Sequence, residues 1–157
     1  MQKSGELSGK LTALPVEDRT EMMIQLMVAE ALKTSAIEGE HYSELDIMSS
    51  VRRNLGLASP HLPKNKDVIG LSEMLMDVRN SFAEPLTEER LKLWHTKLMG
   101  NTPNINAGEW RTDEAPMQIV SGSVARPTIH YEAPPSSRVP PEMAQFLQWF
   151  NEAAWMA

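Results

Sequence analysis

The sequence predicts a mainly α-helical protein that carries one β-hairpin. Between residues 19 and 100, four segments place apolar side chains at helical spacing between capping residues. Residues 117–134 instead hold two short β-favouring runs on either side of a glycine-containing turn, and residues 141–157 return to helical spacing. The chain has 157 residues, 41% hydrophobic and 23% charged, so it is about one globular domain long and can bury a core.

The first predicted helix spans Arg19–Glu38. Asp18 is its predicted N-cap, because aspartate side chains accept hydrogen bonds from the free N–H groups of a first turn. Gly39 is predicted to end the helix, because glycine readily adopts the left-handed conformation found just past helix ends. At about 100° per residue, one face within an arc of roughly 80° combines five residues: Met23, Met27, Ala31, Thr34 and Glu38.

Three further helices are predicted before the hairpin. The second begins at Ser43, a preferred N-cap residue, and runs to about Asn54. A loop rich in turn residues follows, and then a third helix over Asp67–Phe82. Thr87 caps a fourth helix, which ends at Gly100.

The last part of the chain predicts a hairpin, a linker and a final helix. "MQIVSG" and "PTIHYEAP" form the two strands, and the proline-rich "PPSSRVPP" leads to a helix with Pro141 near its first turn. The apolar pattern of that helix continues to the last residue, which indicates a core that is incomplete at the C-terminus. We therefore expect Trp149, Phe150 and Trp155 to be exposed and to favour self-association.

Composition excludes several classes of function. The net charge is -6 and the basic residues are dispersed, so no nucleic-acid partner is expected. There are no cysteines, so the chain has no disulfides and no thiolate nucleophile or metal ligand. The N-terminal residues lack a signal-peptide pattern, and no apolar run reaches the roughly 20 residues that span a bilayer. The sequence therefore predicts a cytoplasmic protein without a membrane partner.

Glu38 is the residue whose position calls for an explanation. It follows the apolar face of the first helix, at a helix end where the macrodipole disfavours an anion. One interpretation is a carboxylate that turns out to solvent, because glutamate is rarely buried without a partner. The other is a carboxylate placed to bind a cation, for which the forked guanidinium of arginine is the natural choice.

Here the residues resemble a known family. "TSAIEG", residues 34–39, is similar to the inhibitory-helix motif of Fic-family proteins: Ser or Thr, three residues, Glu, then Gly or Asn. "SSVRRNLGL" follows as in the N-terminal segment of many bacterial Fic proteins, and "LTEERLKLWHTKLMG", "AGEWRTDEAPMQIVSG" and "IHYEAPPSSRVPPEMAQFLQWFNE" resemble the first half of the Fic core. The resemblance implies a Fic-like helical bundle, with an N-terminal helical segment at 1–60 and the first part of the core at 61–157. The flap hairpin of that core would lie at about 116–132.

The resemblance also implies an activity. Fic proteins transfer AMP from ATP, with Mg²⁺, to a hydroxyl group of a target protein. Glu38 would be the inhibitory residue that pairs with an arginine otherwise used to hold the γ-phosphate, and Thr34 and Gly39 would complete its motif. In some members the same glutamate aligns a water for removal of AMP, so the parent could act in either direction.

The flap implies a docking edge for the target protein. A flap of this kind binds an extended target segment by strand addition, in which main-chain hydrogen bonds set the register. The residues of this edge would be Ile119, Val120, Ser121 and Gly122.

The chain lacks the active-site motif of the family. That motif reads His-Pro-Phe and then Gly-Asn-Gly-Arg, whereas none of His41, His61, His95 and His130 precedes Pro-Phe and no "GNGR" occurs. We therefore expect no catalytic residue in this chain, poor binding of ATP and Mg²⁺, and no AMP transfer by a truncated enzyme of this kind. The alternatives are a non-catalytic module that supplies the inhibitory helix to another Fic protein, or a truncation without a function of its own.

Other polar residues have simpler interpretations. His95 is expected to pack on its helix and His130 to lie in a flap strand, rather than to act in catalysis. Asp113 and Glu114 with His130 give only a weak indication of a metal, and no metal site is predicted. The pair at residues 110–111, Trp-Arg, could stack on a base but is expected to brace its loop.

Overall fold

The computed structural model describes residues 15–59, 61–123 and 126–154. The chain divides into two compact units, Met1–Phe82 and Ala83–Ala157. The described residues form five α-helices and one two-stranded antiparallel sheet, which confirms the prediction of a mainly α protein with one β-hairpin. None of the described helices is long and apolar enough to cross a membrane.

The first unit is built from three helices around one apolar core. These are α1 (Val16–Ile37), α2 (Glu44–Asn54) and α3 (Lys66–Ser81). The buried apolar side chains of the core are Ile24, Met27, Val28, Ala31, Ile47, Val51, Val68, Leu71 and Met76. All the buried large apolar side chains of the described chain therefore belong to this unit.

The start of α1 differs from the prediction. Pro15 precedes the first helical residue, Val16, and no side chain caps the helix there. Asp18 lies inside the first turn and is not the N-cap, because proline already fixes a backbone angle suited to a helix start. A carboxylate in this turn still interacts favourably with the positive end of the helix dipole.

The buried face of α1 is also rotated from the predicted one. Its buried residues are Ile24, Met27, Val28, Ala31 and Ser35. Met23 is half-buried, whereas Thr34 and Glu38 are exposed. The predicted face therefore also continues one turn too far, to Glu38, because the packing of α1 on its neighbouring helices ends at Ser35.

The ends of α2 and α3 follow local capping chemistry. Ser43 is the N-cap of α2, and its hydroxyl accepts a hydrogen bond from the Asp46 N–H at 3.4 Å. α3 begins one residue before the prediction because the Asn65 side chain accepts from the Asp67 N–H at 2.9 Å.

The second unit contains two helices and the hairpin. α4 (Glu88–Met99) follows Thr87, whose hydroxyl accepts from the Arg90 N–H at 3.3 Å as predicted. Strands β1 (Gln118–Ser123) and β2 (Arg126–Glu132) come next. A short 3-10 turn leads to α5 (Val139–Ala154), which begins two residues before Pro141.

α5 is tied to the start of the second unit by one amide side chain. Asn151 accepts a hydrogen bond from the Leu86 N–H at 2.8 Å and donates one to the Leu86 carbonyl at 2.9 Å. Both backbone groups just before α4 are therefore satisfied by α5, which fixes the position of one helix relative to the other.

Candidate functional site

The end of α1 holds Glu38 in a defined position. The Gly39 N–H bonds to the Ala36 carbonyl at 3.1 Å and the Glu40 N–H bonds to the Ser35 carbonyl at 2.9 Å. This pair of hydrogen bonds is the Schellman motif, and Gly39 adopts the left-handed conformation that it requires, with φ at 83°. The prediction that Gly39 ends the helix is confirmed.

The three residues of the predicted inhibitory motif are thus brought together by local structure. Thr34 and Glu38 lie one helical turn apart, and the Glu38 N–H bonds to the Thr34 carbonyl at 3.3 Å. Both side chains are exposed to solvent. Water can therefore solvate the Glu38 carboxylate, which is free to meet an incoming group from outside the unit.

The electrostatics around this helix end favour a cation. The last turn of α1 contains no basic residue, and its free carbonyl groups carry the negative end of the helix dipole. A few residues further along, burial and then the charges of Glu40 and Asp67 raise the pKa of the Tyr42 hydroxyl. The dipole at the end of α1 therefore favours a positively charged group over an anion.

The predicted docking edge lies on an exposed strand of the second unit. Gln118 pairs with Glu132 and Ile119 with Tyr131, and a β-bulge then shifts the register so that Val120 pairs with Ile129. Ile119 is 62% exposed and Val120 is 52% exposed. Because the sheet has two strands, the outer edge of β1 has no neighbouring strand within the described residues.

Two further features belong to the strands of the hairpin. Gly122 has φ at 93°, and a Cβ atom there would lie 2.8 Å from the Arg126 carbonyl oxygen, so no other residue fits this conformation. The Ser121 hydroxyl and the His130 Nε2 atom are 2.6 Å apart across the two strands. His130 is thus a strand residue of the hairpin, as predicted.

A network that the sequence does not reveal fixes the loop before the hairpin onto α4. The indole N–H of Trp110 donates to Glu88 at 2.9 Å, and the ammonium of Lys92 is 2.9 Å from the same carboxylate. Lys92 also lies 5.2 Å from the centre of the Trp110 ring, within cation–π range. Hydrogen bonds from Lys92 and Trp110 lower the pKa of Glu88, and the bond to Glu88 raises the pKa of Lys92.

Two neighbouring residues complete this attachment. His95 accepts a hydrogen bond from the Gly108 N–H at 2.9 Å, so it packs the loop on α4 as expected. Arg111 donates to the Pro134 carbonyl at the end of the hairpin. The prediction that Trp110 and Arg111 brace their loop is confirmed, and this brace is what holds the base of the hairpin to α4.

The first unit contains a second unpredicted cluster, which resembles a hydrolytic triad only in composition. His61 lies with Nε2 2.5 Å from the Asp46 carboxylate and with Nδ1 3.0 Å from the Ser49 hydroxyl. Ser49 is 0% exposed, so its oxygen cannot meet a substrate. The cluster instead attaches the α2–α3 loop to two successive turns of α2.

The predicted site residues fall into two sets. Thr34, Glu38 and Gly39 belong to the first unit, and residues 119–122 belong to the second. Each set is assembled locally, by a helix end in one case and a strand edge in the other. Within the described residues, no group of three or more His, Cys, Asp or Glu side chains is arranged to hold a metal ion.

Comparison with known proteins gives one family match. Residues 1–57 match the family model described as a domain of unknown function (DUF4172). No curated protein of known function matches the chain. The matched part includes α1, the Glu38 helix end and α2, whereas the compact first unit continues to Phe82. A domain boundary near residue 60 stays a prediction.

Proposed function

We propose that the chain is the N-terminal portion of a Fic-type protein adenylyltransferase, and that Glu38 is its inhibitory residue. The observation that supports this most directly is the exposed Glu38 carboxylate, which follows a last helical turn without a basic residue and lies in a Schellman motif. Such a carboxylate is placed to pair with a guanidinium that the described part of its own unit does not supply.

The proposed inhibition is a competition for one arginine. In the complete enzyme, an arginine holds the γ-phosphate of ATP, which is bound with Mg²⁺. A carboxylate that reaches this arginine in a partly dry site competes effectively with the phosphate, because charge interactions are stronger where water is excluded. Thr34 and Gly39 act by setting the position of Glu38, since Gly39 determines where the helix ends.

The hairpin provides the proposed binding edge for the target protein. Ile119 and Val120 are exposed, and the outer edge of β1 has unpaired main-chain groups among the described strands. An extended target segment can add to this edge as a third strand, which brings its hydroxyl side chain into a fixed register. The loop brace at Trp110 keeps the hairpin base in place during this binding.

Two experiments test the proposal. The chain contains no His-Pro-Phe or Gly-Asn-Gly-Arg stretch, so incubation with labelled ATP and candidate targets is expected to leave the proteins unlabelled. Label transferred by the chain alone would contradict this part of the proposal.

The second experiment supplies the chain to a complete Fic protein whose own inhibitory glutamate has been changed to glycine. Wild-type chain is expected to lower AMP transfer, and Glu38→Gln is expected to remove this inhibition because it removes the charge and preserves the shape. Glu40→Gln is the matched control, since it removes the exposed carboxylate two residues away. Equal inhibition by both variants would argue against a specific role of Glu38.

This second experiment also addresses the regulatory alternative. The exposure of Glu38 specifically favours a chain that offers its helix end to another protein. Co-purification of the chain with a complete Fic protein, weakened by Glu38→Gln, would make the chain a regulatory module acting in trans. Inhibition without stable co-purification would instead favour a role limited to the parent enzyme.

A further inference from the structure

An apolar groove runs along the first unit, away from the features used above. It lies between α1 and α3 and encloses about 440 Å³. Its walls are apolar and rich in methionine: Met22, Met23 and Leu26 come from α1, and Leu75 and Val78 come from α3. This size lies within the usual range of ligand pockets.

The groove continues past the first cavity. A second cavity of about 510 Å³ shares Arg19, Met23 and Arg79 with the first and extends to Val16 and Leu57. The apolar side chains here are unusually open to water, with Leu26 at 65% and Val16 at 63% exposed. The two cavities therefore form one elongated, apolar surface, longer than a single side chain would fill.

Charge gives this groove a preference among occupants. Arg19 and Arg79 line both cavities, whereas Glu30, the one carboxylate among the lining residues, lines the first cavity alone. Neither guanidinium is paired with a carboxylate among residues 15–59, 61–123 and 126–154. An occupant that brings a carboxylate to the part of the groove lined by Arg19 and Arg79 gains a charge partner there, and arginine binds carboxylates through a fork of two hydrogen bonds.

We infer that this groove binds an amphipathic helix from a partner protein, with apolar side chains in the two cavities and an acidic side chain between Arg19 and Arg79. A groove between two helices accepts a third helix through residues spaced at i, i+3, i+4 and i+7. Methionine side chains are flexible and polarisable, which lets such a groove adapt to different apolar side chains. This inference is independent of the proposed role of Glu38, since it uses none of the same residues.

The test uses the full chain and a designed probe. The probe is a fluorescent helical peptide of about four turns, with leucines at i, i+3, i+4 and i+7 and one central glutamate on the edge of that face. Fluorescence anisotropy should show saturable binding to the wild-type chain. The same peptide with glutamine in place of glutamate should bind about tenfold more weakly, since about 1.4 kcal/mol corresponds to that factor.

Matched variants of the chain identify the site. Arg19→Gln combined with Arg79→Gln should weaken the glutamate peptide about tenfold and leave the glutamine peptide nearly unchanged, as expected for a direct charge pair. Leu26→Asp should abolish binding of both peptides, and its exposed position allows the variant to fold, which circular dichroism would verify. Lys33→Gln, an exposed change on α1 outside both cavities, should have no effect.

Four results would overturn the inference. The first is absence of peptide binding by the wild-type chain, and the second is unchanged binding by the double arginine variant. The third is tighter binding of the peptide by the Glu6→Gln variant than by the wild type. That result would mean that the N-terminal residues of the chain itself compete with the peptide for the groove. The fourth is a wild-type chain that binds no peptide but forms a dimer, which the Leu26→Asp substitution dissociates. That result would assign the groove to a second copy of the chain.

Discussion

The Asp46 carboxylate and the His61 imidazole lie 2.5 Å apart, and this contact attaches the α2–α3 loop to the side of α2. The other ring nitrogen of His61 lies 3.0 Å from the fully buried Ser49 hydroxyl. Arg52 strengthens the same attachment from the next turn, where its Nε atom donates to the Ala58 carbonyl at 2.8 Å. One helix therefore holds the loop at three points, and α3 begins from a fixed position.

We expect His61→Ala to lower the free energy of unfolding by about 1–2 kcal/mol. The substitution leaves the buried Ser49 hydroxyl and the half-buried Asp46 carboxylate without their partner, and each loses a hydrogen bond. Urea denaturation followed by far-UV circular dichroism measures the change. His41→Ala removes an exposed histidine and should change stability by less than about 0.5 kcal/mol. Equal losses in the two variants would contradict a specific role for the His61 contact.

The Glu88 network predicts a defined dependence of stability on pH. Hydrogen bonds from Lys92 and Trp110 hold the pKa of Glu88 below its ordinary value of 4.5. The contribution of Glu88 to stability is therefore present above pH 4.5 and is lost as the pH falls through the lowered pKa of the folded state. The pKa of Lys92 is raised above 10.5, so its contribution is complete below that pH and is lost only as the pH rises further.

Tryptophan fluorescence can measure this effect selectively, because all four tryptophans lie in the second unit. At pH 7, Glu88→Gln should unfold at lower urea concentration than the wild type, and this difference should close as the pH falls below 4.5. Glu89→Gln, an exposed change at the next position of α4, is the matched control and should have a smaller effect at pH 7. If the difference in unfolding urea concentration between the wild type and Glu88→Gln stayed constant down to the lowest pH, the effect of Glu88 on stability would not depend on its charge.

Gly39 is expected to be sensitive to substitution for a reason confined to the backbone. A Cβ atom there would have no heavy atom within 4 Å, yet φ is 83°, which other residues adopt at a cost. Gly39→Ala should therefore destabilise the first unit by about 1 kcal/mol. It should also weaken any inhibition that depends on Glu38, because the helix end that positions the carboxylate would fray.

The neighbouring residue provides the control for this substitution. Glu40→Ala changes an exposed side chain but keeps the N–H group that bonds to the Ser35 carbonyl, so it should alter stability by less than about 0.5 kcal/mol. Urea denaturation of the two variants gives the comparison. A Gly39→Ala variant as stable as the wild type would contradict the cost expected for alanine in the left-handed conformation at this helix end.

The features that could be predicted from sequence are those determined by neighbouring residues. Ser43, Thr87 and Gly39 mark helix ends through hydrogen bonds to groups within a few residues, and all three act as predicted. The hairpin is likewise local. The N-cap prediction for Asp18 is wrong, because Pro15, three residues earlier, provides an equally local start signal.

The features that could not be predicted depend on contacts between distant residues. His61 reaches Asp46 across 15 positions, and Trp110 reaches Glu88 across 22. No periodicity or spacing rule connects such pairs, because they meet only after the helices have packed. The extent of the buried face of α1 has the same origin, since its neighbouring helices determine that burial ends at Ser35.

The last prediction concerns the aromatic face of α5. Trp149 is 63% exposed and Phe150 is 41% exposed, and the Phe146 ring lies 6.1 Å from the first and 5.9 Å from the second. Trp155, expected to extend this face, lies outside the described residues. Exposed aromatic side chains that lie together favour association, because their contact removes apolar surface from water.

We therefore expect the chain to self-associate as its concentration rises, and Trp149→Ser to shift it toward the monomer. Sedimentation velocity over a range of concentrations measures this shift directly. Gln148→Ser alters the adjacent exposed position without removing an aromatic ring and should leave the association unchanged. A wild-type chain that stays monomeric at every concentration would show that this face is too small to drive association alone. Association that persists in Trp149→Ser would instead locate the contact elsewhere, and Leu26→Asp in the α1–α3 groove would then be the next variant to compare.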